Sequence, residues 1–245
     1  MYQCEATSVE GFVQQLVCYF ASGYRWFVTG EIPAEKDPWS VDERLIFKYG
    51  IDLSKYQRAR RKQRGEANLQ YLRWRRFFVL VSSCPFGGHP FFEAERSAIR
   101  DARKQPVRVG GYAVSIRRDG SEQRHGRERW RAHVRIDRDR YLELRAHYLE
   151  SARRWPRDRL EAELRESGLV PYAPVRRQLL ALVRDINRER EPRGLAPIRI
   201  SCLRLRRSVV KPFEWKTEAR PVGASIRLVD DEPEFAPTLS SRESD

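Results

Sequence analysis

The chain is poor in the residues that most often carry metal or thiol chemistry, with four cysteines and four histidines in 245 residues. Cys4, Cys18, Cys84 and Cys202 stand outside any CxxC spacing, which excludes a zinc ribbon, a redox pair and a disulfide scaffold. The bland expectation is four free thiols in a reducing cytoplasm, with Cys18 on an apolar helix face and Cys202 in an apolar alternation. No apolar run approaches the length of a membrane span, and no basic segment leads into a signal-like apolar one. The reading therefore has no membrane partner and a cytoplasmic location. No phosphate-binding P-loop, no GxGxxG turn and no nucleophile elbow occurs, so it has no cofactor, no dinucleotide site and no nucleoside triphosphate site.

Negative charge is also short. Lys and Arg number 48 against 34 Asp and Glu, a net charge of +14, and 41 of the 48 are Arg. Arg binds phosphate through a planar fork and stacks on bases, whereas Lys acts as a point charge. An apolar fraction of 40% with 11% aromatics excludes global disorder. The imbalance points to a polyanion, DNA or RNA.

Hydrophobic periodicity predicts an α+β fold. It comprises a mainly antiparallel sheet of five or six strands with helices packed on one face, a helical C-terminal segment and a disordered acidic tail. The boundaries are 1–136 for the sheet domain, 137–216 for a helical extension with a basic C-terminal strand, and 217–245 for the tail. Ser8 opens a helix that Gly23 stops, and Tyr24 to Glu31 alternates as a strand. Ser40-Val41-Asp42-Glu43 reads as a capping box. Ser54 to Gly65 is a helix that exists mainly for its charge. Leu69 to Arg73 pairs with Phe77 to Val81 across Trp74-Arg75-Arg76, the second arm being a central strand. Glu93 to Lys104 reads as a helix. Val107 to Arg117 reads as one strand with a bulge at Gly110-Gly111. Trp130 to Ile136 is its partner, with Arg131, His133 and Arg135 outward. Three helical stripes follow, and Ile198 to Val210 reads as a strand.

Residues 54–76 hold nine basic residues and one acidic residue. Phosphate affinity grows with the number of cations that face one groove, and stacking needs flat side chains among them. The candidate nucleic-acid-binding residues are Arg58, Arg60, Arg61, Lys62, Arg64, Tyr71, Arg73, Trp74, Arg75 and Arg76, with Tyr56 as a further stacking residue. Arg204, Arg206 and Arg207 are expected to line the same groove. The tail carries 7 acidic and 3 basic residues. It is expected to fold back and compete for that groove.

The catalytic candidates are weaker. Tyr141 and Tyr148 lie seven apart on one helix, with Arg131, His133 and Arg135 on the strand before it to stabilise a pentacoordinate phosphoryl transition state. The second position after His133 is Arg135, which repels a metal cation, so no metal site is assigned. Glu214-Trp215-Lys216 matches half of a nuclease motif whose upstream Asp is missing. The reading leans to a nucleic-acid-binding protein, of the kind a mobile element or replication accessory factor uses. The alternatives are a phosphodiester-nicking or strand-transfer enzyme with a tyrosine nucleophile, and a basic module for an acidic protein partner.

Overall fold

The computed structural model describes residues 2–84, 88–118 and 130–213. The acidic tail and the Glu214 half-motif lie outside them. The fold is α+β, with two antiparallel sheets rather than one.

The first sheet has the order β2-β3-β1-β4, from Leu69–Trp74 (β2), Phe77–Ser82 (β3), Trp26–Glu31 (β1) and Arg100–Asp101 (β4). β3 is central, as its unbroken apolar run predicts, and Arg75 closes the β2–β3 turn at φ +56°. Both faces of this sheet are covered, because its strands place apolar residues on alternate sides. Leu72, Val79, Val81 and Phe27 join the core around α1 (Val9–Ala21). Tyr71, Phe78, Leu80 and Val28 join a second core under α2 (Pro38–Lys48) and the short α4 (Pro90–Ala94). Helices on one face were expected; helices on both are found.

The second sheet has the order β5-β6-β7, from Val107–Val109, Tyr112–Arg118 and Trp130–Ile136. The Gly110-Gly111 pair is a hairpin turn and not a bulge. Both glycines have positive φ, +52° and +82°, and Val109 pairs with Tyr112. Two such residues between paired strands make the tight turn that matches strand twist. A Cβ on Gly110 would also overlap Val9 Cγ2 of α1. Val107, Tyr112, Val114 and Val134 face α1, so this helix is packed between the two sheets. Ala102 ties the sheets together: its N–H donates to Arg25 O, and its carbonyl accepts from Ile116.

Three further elements differ from expectation. The N-cap of α2 is Asp37, which accepts from Ser40 N at 3.0 Å, with Pro38 in the first turn. Residues 93–104 form no long helix; α4 ends at Ala94, and Arg100–Asp101 pairs with the edge of β1 instead. Residues 198–210 form no strand, only a 3-10 turn at Ile200–Cys202 and irregular chain. The three C-terminal helices, α5 (Arg138–Ala152), α6 (Arg157–Glu166) and α7 (Ala173–Arg190), form as predicted and share the α1 core. Cys202 and Cys4 are buried, but Cys18 is exposed, on the outer side of α1. Among the described residues, no helix is long and apolar enough to cross a membrane.

Candidate nucleic-acid interface

Helix α3, Lys55–Gln63, is built for charge. Ser54 and Gln57 form a reciprocal capping box, with Ser54 Oγ accepting from Gln57 N at 3.2 Å and Gln57 Oε1 accepting from Ser54 N at 2.7 Å. None of its residues is buried. It is tethered by Asn68 Nδ2, which donates to Arg58 O at 2.9 Å, and by the Arg58 guanidinium on Leu53 O. Arg61 and Arg64 both pair with Glu66, at 3.6 and 2.9 Å. Lys55, Arg60 and Lys62 make no ion pair among the described residues. Tyr56 is 80% exposed.

The hairpin that follows contributes far less than its composition suggests. Tyr71 and Arg73, expected at the interface, are instead withdrawn from the surface. Tyr71 is fully buried and donates its hydroxyl to Asp42 Oδ1 at 2.6 Å. Arg73 is 3% exposed; its Nε lies 2.9 Å from both Asp42 oxygens, and Nη2 lies 3.3 Å from Glu5. Burial works against the Arg73 charge, but Asp42 and Glu5 outweigh it and hold the guanidinium charged. Cys4 donates to the same carboxylate at 3.4 Å, and burial beside Asp42 pushes its thiol up, away from a nucleophilic thiolate. Arg76 is spent on the carbonyls of Ile32, Pro33, Ala34 and Lys36, where it holds the loop before α2. Trp74 is half-buried against the α1 core, with the exposed Arg75 guanidinium 4.9 Å from its ring centre.

The second basic cluster does not join α3. Arg204 and Arg206 line a cleft of about 310 Å³ with Arg165, Glu10 and Val210. That segment is fixed to α1 by Gln14, which exchanges hydrogen bonds with the backbone of Val210. Arg207 lies 5.0 Å from the centre of the Tyr172 ring.

The tyrosine-nucleophile arrangement is not assembled. Tyr148 is 3% exposed, and burial with Glu163 nearby pushes its hydroxyl up to about 12. It sits in the core with Val134, while His133 is on the opposite face of β7. Tyr141 is half-buried, and its hydroxyl donates to Gln178 O at 3.3 Å. His147 is taken by Glu163 at 2.8 Å. Among the described residues, no group of three or more His, Cys, Asp and Glu is placed to hold a metal ion.

The basic surface on the outer face of β5-β6-β7 is wider than the alternation of β7 alone suggests. Arg131, His133 and Arg135 face outward, as alternation predicts, and Arg117 and Arg108 share their face. Arg177 of α7 acts on the same histidine. The signal was present in the alternation of residues 107–118, but it could be used only with the hairpin turn placed. A cleft of about 480 Å³ between Tyr2, Trp39, Ile46, Phe47 and Asp52 was missed, since its walls come from distant segments.

No protein-family model matches this chain, and no curated protein matches it.

Proposed function

We propose that this protein binds nucleic acid, with α3 as the primary contact. One observation carries the reading: a nine-residue helix that buries no side chain, capped at its start and tethered at Arg58, presents Lys55, Arg60 and Lys62 without acidic partners among the described residues. A helix that adds nothing to the core and concentrates cations has its free energy of interaction with phosphates to offer. Tyr56 on the same helix supplies a flat surface for a base or sugar. The outer sheet face around Arg117 and Arg135 is a second cationic area. Arg204, Arg206 and Arg207 form a separate patch on the α1 side.

The test is fluorescence-polarisation binding of the full chain to single-stranded DNA, duplex DNA and RNA of equal length. Binding to at least one of them at low salt is the expected result. Absence of binding to all three at low salt removes the reading and favours an acidic protein partner for α3.

A further inference from the structure

At the centre of the outer sheet face sits a histidine surrounded by arginines. Strand register sets Ser115 directly across from His133, Arg117 across from Arg131, and Ala113 across from Arg135. Ala113 and Ser115 are short and buried beneath the long side chains around them, which stand above this part of the sheet. Arg177 enters from the side: α7 is pinned along the β7 edge by Gln178, its neighbour in sequence, which makes two hydrogen bonds to the Ile136 backbone. Arg108 on β5 closes the far side and is engaged by Asp137 and Asp139 at 3.5 and 3.8 Å. Among the described residues, the charges that act on the His133 ring are those of Arg117, Arg135 and Arg177, with no carboxylate among them. Its Nδ1 is shut off from solvent and has no hydrogen-bond partner among the described residues. Protein interiors rarely leave a ring nitrogen unpaired beside uncompensated cations unless something else supplies the counter-charge.

We propose that this cluster is a phosphate subsite, in which His133, Arg117, Arg135 and Arg177 hold one phosphodiester group of a bound nucleic-acid strand. It rests on the nucleic-acid reading for the source of the phosphate, and on the cluster alone for the phosphate chemistry. Planar guanidinium groups offer paired donors that match phosphate oxygens, and Arg117 and Arg135 are exposed to receive the anion.

The subsite is linked to protons. In the empty protein, burial and the three arginines hold His133 below the usual imidazole range. A phosphate among the arginines cancels that repulsion. The ring then takes a proton from solvent and carries it as an N–H donated toward a phosphate oxygen; no bond of the phosphate forms or breaks. By linkage, protonation tightens binding and binding favours protonation. Affinity rises as pH falls.

The experiment has two probes. His133 ring resonances of the full chain are followed by NMR against pH, with and without pyrophosphate. Single-stranded oligonucleotide affinity is measured at pH 7.5 and 5.5 for the wild type, His133→Gln and Arg135→Ser. Pyrophosphate is expected to raise the His133 titration midpoint by about one unit, which corresponds to a gain in affinity of roughly three- to sixfold between pH 7.5 and 5.5. That gain is lost in His133→Gln. Arg135→Ser, with its His133 intact, titrates at higher pH than the wild type before any anion is added. A His133 midpoint unmoved by pyrophosphate overturns the subsite, as does an unchanged pH response in His133→Gln; oligonucleotide binding through α3 survives either result. Pyrophosphate bound at His133 without oligonucleotide binding upholds the phosphate site and removes the nucleic-acid strand as its source.

Discussion

The side chain of Gln178 on α7 behaves as a one-residue strand toward Ile136 at the end of β7. Ile136 N donates to Gln178 Oε1 at 2.8 Å, and Gln178 Nε2 donates to Ile136 O at 3.2 Å. β7 is the edge of its sheet, and edge strands with free amides invite wrong pairing. The amide covers that edge and carries Arg177 to the sheet. Gln178→Ala leaves both backbone groups without their partner. The expected cost is about 1–3 kcal/mol in urea unfolding. A loss below about 0.5 kcal/mol would mean that water replaces the amide without penalty.

The Asp42–Arg73 pair is expected to dominate the stability of the α2 side. Asp42→Ala strands a buried guanidinium and removes the acceptor for Tyr71. A loss of about 3–5 kcal/mol is expected, enough to unfold a marginal domain. Tyr71→Phe removes one hydrogen bond and keeps the ion pair, so it should cost about 1 kcal/mol. Equal losses for the two variants would contradict the assignment of Arg73 to the core.

Gly110 and Gly111 separate strain from crowding. Both sit at positive φ, but only Gly110 has Val9 where a Cβ would go. Gly111→Ala is expected to cost about 1–2 kcal/mol of backbone strain. Gly110→Ala adds overpacking of about 1–3 kcal/mol. Val9→Ala in that background should recover part of the second cost. The same thermal or chemical denaturation series reads all three.

Acidification should weaken the ligand-free protein through His133 and His89. Burial lowers both, with Arg117, Arg135 and Arg177 adding to the first and Arg61 to the second. A histidine whose folded value is depressed contributes its full stability above the unfolded value of about 6.5 and loses it as pH falls toward the folded value. The urea midpoint is expected to drop between pH 7.5 and 5.5, and to drop less in His133→Gln. Identical drops would show that the ring is not held neutral.

The legible parts of this fold are those decided within a few residues. The charged run from Ser54 to Gly65 announces α3, and the two apolar arms around Arg75 announce their hairpin. The misread parts were decided elsewhere in the chain. A Gly-Gly turn and a bulge leave the same shift in alternation, and only pairing of Val109 with Tyr112 tells them apart. Residues 93–104 have helical composition, yet the open edge of β1 takes Arg100 and Asp101. Ile198 to Val210 alternates as a strand would, but pairs with no strand; the backbone of Val210 is held by the Gln14 side chain of α1 instead. Tyr71 and Arg73 look like interface residues until Asp42, about thirty positions away, is seen to hold both. Charge density pointed to α3, and it could not tell a paired arginine from an unpaired one.

The most direct measurement is the slope of log affinity against log salt concentration for the preferred nucleic acid, with the wild type and a Lys55→Glu/Arg60→Glu/Lys62→Glu variant side by side. Each phosphate contact contributes about 0.7 to 0.9 to the slope. The account predicts weaker binding and a slope shallower by about 2 in the variant, with an unchanged unfolding midpoint because α3 buries nothing. An unchanged slope with a folded variant would contradict α3 as the interface.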